Sequence, residues 1–269
     1  MTRHPGMSAA SSAASLRRRR SETIVAALVL LIAGAAPGRG ADVTSPTGSD
    51  AAIAQSLAEL LRDARTVISN NEPLINNPDI GDKHLTGEVV LDDAIAMYRK
   101  ATGVDPSSID PASREGRLLR ALMNAIVAVM NDNQMTINEK GIGFKGLIPA
   151  VFGRLVSEAF NGLAKGEALI KITAPTDLVR NRKALPDAWE TKVIETKLLN
   201  PAWPRGQAYS ATVDSGGHSA YRFAVPEYYT QSCLACHGMP KGALDITGYP
   251  KEGRKLGDLG GVMSITLFR

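Results

Sequence analysis

The sequence predicts an α+β fold in which helices come first and an antiparallel sheet follows. Three observations carry this. Apolar residues recur at helical spacing in two long stretches, Ile53 to Ile68 and Leu118 to Met130. Residues 168 to 173 alternate, with Ala168, Ile170 and Ile172 on one face and Leu169, Lys171 and Thr173 on the other. Ser215-Gly216-Gly217-His218 separates two further strand-like runs as a hairpin loop does. A block of helices followed by such strands gives α+β rather than an alternating parallel fold.

The chain divides into an export signal over 1–41, a helical segment over 42–140 and a sheet-bearing domain over 141–269. Arg17 to Arg20 form a charged start, Ile24 to Ala36 an apolar run, and Gly38, Gly40 and Ala41 the small residues of a cleavage region. The apolar run is shorter than the ~20 residues of a membrane span. A cleaved signal is therefore expected, with a membrane anchor as the alternative if it stays. The formal charge of +4 owes much to those four arginines. No other Lys/Arg cluster is interleaved with aromatics, so nucleic-acid binding is not expected.

From Ser49 the elements follow in order. Ile53, Leu57, Leu60, Leu61, Ala64, Val67 and Ile68 form one stripe, with Ser49 or Asp50 able to cap it. Pro73 and Pro78 mark 70–82 as turn-rich. Residues 87–102 form a second helix stopped by Gly103. Asp110-Pro111 resembles an N-cap followed by a first-turn proline, ahead of the Leu118 to Met130 stripe. Residues 141–146 form a glycine-punctuated loop that lacks the Lys-Ser/Thr end of a phosphate loop. Pro149 opens a helix that ends near Ala164. A helix is expected over 186–198, and strands over 207–214, 219–225 and 262–268. Residues 247–255 form a polar loop.

The chemistry concentrates in Cys233-Leu234-Ala235-Cys236-His237-Gly238. It uses the chain's only two cysteines, and C-x-x-C-H is the attachment signature of a c-type haem. The two thiols add across the two porphyrin vinyl groups, and the adjacent imidazole binds iron from the same side. A redox dithiol would follow a buried strand and open a helix of a βαβ unit; here the proline-bearing run 225–229 leads in. A zinc site would need further Cys or clustered His, and the other histidines are scattered. The expected cofactor is therefore one covalent haem on Cys233 and Cys236, with His237 as the proximal iron ligand.

From about Gly141 to Arg269 the chain resembles the PAS-like single-haem c-type domains found in exported proteins and ahead of bacterial signalling modules. The resemblance rests on Arg180-Asn181-Arg182, Pro186-Asp187-Ala188-Trp189-Glu190, Arg222, Pro226 and Cys233 to Gly238. Arg182 stands where the family shows proline. The resemblance implies a PAS-like sheet that holds the haem. It also implies a sixth ligand, Cys or Met, from the helical segment before the first strand.

No third Cys exists to fill that role. By spacing the matching stretch is 141–146, so Met130, Met135 and Lys145 are the distal candidates. Each has an ordinary alternative, as core filler, helix-end residue or solvated lysine. His218 reads as a hairpin-turn residue and His84 lies outside the resemblance. Tyr228 and Tyr229 touch either the porphyrin edge or the core, and Trp189 reads as core. Arg180 pairs either with a haem propionate or with a surface carboxylate. No catalytic constellation is visible.

The expectation is thus an exported, periplasmic haem protein acting as a redox or small-ligand sensor. Electron transfer is the alternative and haem catalysis a distant third. The expected partner is a redox or signalling protein, and a homodimer fits as well.

Overall fold

The structure, a computed structural model, describes residues 49–215 and 217–269. The expected export signal over 1–41 lies outside the described residues. Among the described residues, no helix is long and apolar enough to cross a membrane.

Five helices make the first half: α1 (Asp50–Ile75), α2 (Gly87–Thr102), α3 (Arg114–Asp132), α4 (Gln134–Asn138) and α5 (Pro149–Leu163). Ser49 caps α1, its hydroxyl accepting from the Ala52 amide, and Thr86 caps α2 in the same way through Val89. Gly103 ends α2 in the left-handed conformation that only glycine adopts without strain.

Two helix ends differ from the sequence expectation. The chain stays helical through Pro73 to Ile75, because the proline sits in the last turn and removes only one intrahelical donor. The Asp110-Pro111 signal does not open α3. Asp110 accepts from the Ala112 amide and closes a turn, and Ser113 becomes the N-cap through the Gly116 amide. A Cβ at Gly116 would fall 2.0 Å from the Asp110 carbonyl oxygen, so the turn and the helix start are pressed together there.

The second half holds β1 (Ala168–Thr173), α6 (Ala188–Val193), β2 (Tyr209–Ser215), β3 (His218–Tyr228), α7 (Leu234–His237) and β4 (Leu259–Phe268). The strands form one antiparallel sheet in the order β1-β4-β3-β2. After α6 the backbone widens into a turn of π-helix over Ile194–Leu198, where one continuous helix was expected. β3 runs three residues beyond the expected end at 225. Pro226 is tolerated because β2 pairing stops at Ala224, which leaves that side of β3 an edge.

The alternation of the strands decides what each sheet face meets. Ala168, Ile170, Phe223, Val225, Met263, Ile265 and Leu267 enter one core with Leu57, Leu61, Leu118, Leu122, Phe152 and Phe160 of the helices. On the other face Ala224 and Val262 pack with Val193, Ile194 and Leu198 beneath Trp189 and Tyr209. The architecture is α+β in three layers: helices, a four-stranded sheet and the short α6 segment. Residues on both sides of position 140 share the larger core.

Candidate functional site

Cys233 to Gly238 lies between two long strands, beyond the β3 end at Tyr228. A single tight turn carries it: the His237 amide donates to the Cys233 carbonyl at 3.0 Å and the Gly238 amide to the Leu234 carbonyl at 2.9 Å. That turn puts both thiols on one short segment with the imidazole beside them. The cysteines are unpaired and half-buried. The Thr230 hydroxyl lies 3.2 Å from Cys233 Sγ. Burial, and then the charge of Asp245, push the Cys236 thiol above its ordinary value. A redox dithiol needs the opposite shift.

The segment that follows folds back on the turn. The Gly242 amide donates to the Lys251 carbonyl and the Lys251 amide to the Ala243 carbonyl, each at 2.8 Å. The Arg254 amide donates to the His237 carbonyl, also at 2.8 Å. This return places two carboxylates behind the motif. His237 Nδ1 lies 2.8 Å from Glu252 Oε2 and donates to it, which leaves Nε2 as the nitrogen free to bind a metal.

Arg180 locks the arrangement. Its Nε and Nη2 donate to the two oxygens of Glu252 at 2.7 and 3.0 Å. Its Nη1 donates to Asp245 at 2.6 Å and Nη2 also to the Cys236 carbonyl at 3.0 Å. The guanidinium lies over the Tyr249 ring, 4.9 Å from its centre. Burial alone would raise both carboxyls. For Asp245 the hydrogen bonds from Thr247, Arg180 and the local backbone outweigh it, and for Glu252 those from Arg180 and His237 do, so both titrate below their usual range. Arg180 is thus committed to the turn itself rather than offered outward.

Tyr229 forms the other wall. Its ring sits 4.9 Å from the imidazole, tilted by 31°. Burial, then the Glu252 charge, push its hydroxyl up to about 12. A Cβ at Gly260 would come within 2.8 Å of that ring, so only glycine admits it. Tyr228 turns the opposite way, stacks under Arg205 at 3.9 Å and accepts from the Gly206 amide.

α1 reaches the motif from the helical side. The Ser69 hydroxyl donates to Ser232 Oγ at 3.3 Å, and one turn earlier Arg65 pairs with the half-buried Glu227 at the end of β3. The three distal candidates belong to other elements: Met130 to α3, Met135 to α4, and Lys145 to the segment before α5, where its amide donates to Asn76 Oδ1 just past α1. Met130 is fully buried in the helical core, and Met135 is 86% exposed. The Lys145 ammonium is bonded to the Glu139 carbonyl. His218 starts β3, about 30 Å along the strand from the motif at ~3.3 Å per residue. Met263 is buried in β4. Trp189 packs against the second core and Arg222.

The donor set fits a c-type haem: two free thiols on one turn and an imidazole with Nε2 available. The return segment also exposes large apolar side chains, namely Met239, Leu244, Ile246 and Leu256, each at least 64% exposed. Exposed apolar side chains next to the motif suit contact with an apolar plate such as a porphyrin. Among the described residues, no group of three or more His, Cys, Asp and Glu is disposed to hold a metal ion alone.

Sequence reading missed Asp245 and Glu252, placing 252 in a polar loop. No periodicity marks them. Asp245-Ile246-Thr247 carries an Asx-turn signal, since Asp245 accepts from the Thr247 amide, but that signal indicates a turn and not a site.

The sequence model of the Tll0287-like family (Tll0287) matches residues 105–267. The chain belongs to the Tll0287-like family. The match begins well upstream of Gly141, where the resemblance starts, so the family region includes α3 and α5 as well as the whole sheet. No curated protein and no solved structure matches the chain. Within this Tll0287-like region the charged residues serve two different ends. Asp187, Glu190 and Arg222 join α6 to the sheet, whereas Arg180 braces the Cys-His turn.

Proposed function

We propose that the chain is an exported, periplasmic single-haem c-type protein of PAS-like type that senses redox state or a small ligand. Cys233 and Cys236 would hold the haem as thioethers, and His237 Nε2 would bind its iron. The bound haem would supply a one-electron couple and an axial position for a small ligand. The observation that carries the reading is the His237 Nδ1 to Glu252 bond on the C-x-x-C-H turn, because it fixes the tautomer and ring orientation that an axial ligand needs.

Two of the three distal candidates are engaged within the fold, and this inclines the reading toward sensing rather than electron transfer. Met130 is committed to the core and Lys145 to a carbonyl, and the α1 segment at the motif brings Ser69, a poor iron ligand. That supports an open or exchangeable sixth position. A signalling or redox partner protein, or a second copy, would then receive the output.

Holoprotein recovered from a periplasm with haem-attachment machinery tests this. Haem is expected to stay with the protein through acid-acetone extraction, and carbon monoxide is expected to shift the ferrous Soret band. Haem that washes out rejects the assignment. Covalent haem whose six-coordinate spectrum ignores carbon monoxide transfers the reading to electron transfer.

A further inference from the structure

We propose that Glu252 is a positioning residue that makes His237 a strongly basic axial donor and so holds the iron at low reduction potential. The inference rests on the haem reading above.

The geometry is that of a carboxylate-backed histidine. Nδ1 donates over 2.8 Å to a carboxylate oxygen, not to a neutral carbonyl. A carboxylate partner draws the Nδ1 proton, puts electron density on Nε2, and strengthens its bond to the more highly charged ferric state. The side chain of Glu252 is 13% exposed, so solvent screens the effect only partly.

The ion pairs of Glu252 itself support the same sign. Glu252 and Asp245 together outnumber the one guanidinium they share, Arg180. Arg254, whose amide meets the His237 carbonyl, turns its own guanidinium to Asp177 at 2.6 Å. Arg180 has two effects. It pins Glu252 by two bonds, and its charge offsets part of the carboxylate's.

Two substitutions in the full-length holoprotein therefore have opposite signs. Glu252→Gln keeps the shape and an acceptor for Nδ1 but removes the charge. It is expected to raise the midpoint potential by about a tenfold change in the ferrous-to-ferric ratio, about 59 mV for one electron. The ferrous iron–histidine stretch in resonance Raman should fall in frequency. Arg180→Gln unmasks the carboxylate and is expected to lower the midpoint. A role confined to holding the loop predicts shifts of the same sign, or none.

Glu252→Gln protein with covalent haem and unchanged potential and stretch overturns the inference. So do two variants that move together. If Glu252→Gln attaches no haem, Arg180→Gln decides: a lowered midpoint supports the inference, and a raised or unmoved one overturns it. Wild-type protein without covalent haem overturns the haem assignment, and this inference with it.

Discussion

Asp63 is a residue whose environment suits it poorly. It lies on the buried face of α1, and among the described residues its Oδ2 has no hydrogen-bond partner. Burial, then the charge of Glu59, push its carboxyl up to about 6, with Arg62 pulling the other way. A folded value above the unfolded one means that the folded state binds the proton more tightly. Asp63 therefore costs nothing below about pH 4, and its cost grows as pH rises through about 6. Asp63→Asn is expected to stabilise the protein at pH 8 by on the order of 2 kcal/mol, with the gain vanishing near pH 4. Urea midpoints of both proteins at the two pH values check this, and a gap independent of pH would reject it. Glu227 is the contrasting case. It too is largely withdrawn from water, but Arg65 and Arg62 outweigh desolvation and hold it ionised. One carboxylate is a tie between α1 and β3, whereas the other is a local penalty.

α6 is an element held by charge more than by length. It has six residues, too few to be stable alone. Asp187 and Glu190 form a reciprocal capping box at its start. Glu190, 1% exposed, then receives Lys171 of β1 at 2.8 Å and Arg222 of β3 at 3.1 Å, while Arg222 lies over Trp189 at 4.3 Å. Glu190→Ala takes from the mostly buried Arg222 and the partly exposed Lys171 the carboxylate they share and is expected to cost about 3 kcal/mol. Asp187→Ala is expected to cost about 1 kcal/mol. Chemical denaturation measures both. The double variant should lose less than the two together, since Arg222 serves both residues.

Element scale is also where the sequence was most legible. The alternation at Ala168 to Thr173 gave β1 to the residue because one sheet face is apolar, and the Ser215 to His218 signal gave the β2–β3 pairing, although β2 begins two residues later and β3 runs three residues further than expected. Helix ends were less legible. Pro73 and Asp110-Pro111 carry true local signals that tertiary contacts overrode. Cys233, Cys236 and His237 stood out by spacing alone. Their brace did not, because Arg180, Asp245 and Glu252 are brought together by chain return over 72 residues, and no local pattern encodes that.

At the scale of the whole molecule the question is whether the sheet and its motif form a separable unit. The core argues that they do not. Phe223, Val225, Met263, Ile265 and Leu267 face the helices, and without α1 to α4 only α5 would remain to cover them. Burying each such side chain is worth about 1.5–3 kcal/mol, so uncovering five costs about as much as the total stability of a typical domain. Ion pairs run across the same divide. Asp50, at the start of α1, binds Arg114 at 3.1 Å and the last residue, Arg269, at 2.6 Å. Arg65 of α1 ties to Glu227, two residues before Tyr229 and the imidazole it walls. A fragment of residues 141–269 keeps every strand and the whole C-x-x-C-H turn but loses α1 to α4. It is expected to be recovered aggregated, or as a chain without cooperative unfolding, while residues 49–269 unfold in one transition. Circular dichroism melts of the two proteins decide the matter. A soluble, cooperatively folded 141–269 fragment would show that the sheet carries its own core and that the helical layer is an addition to it.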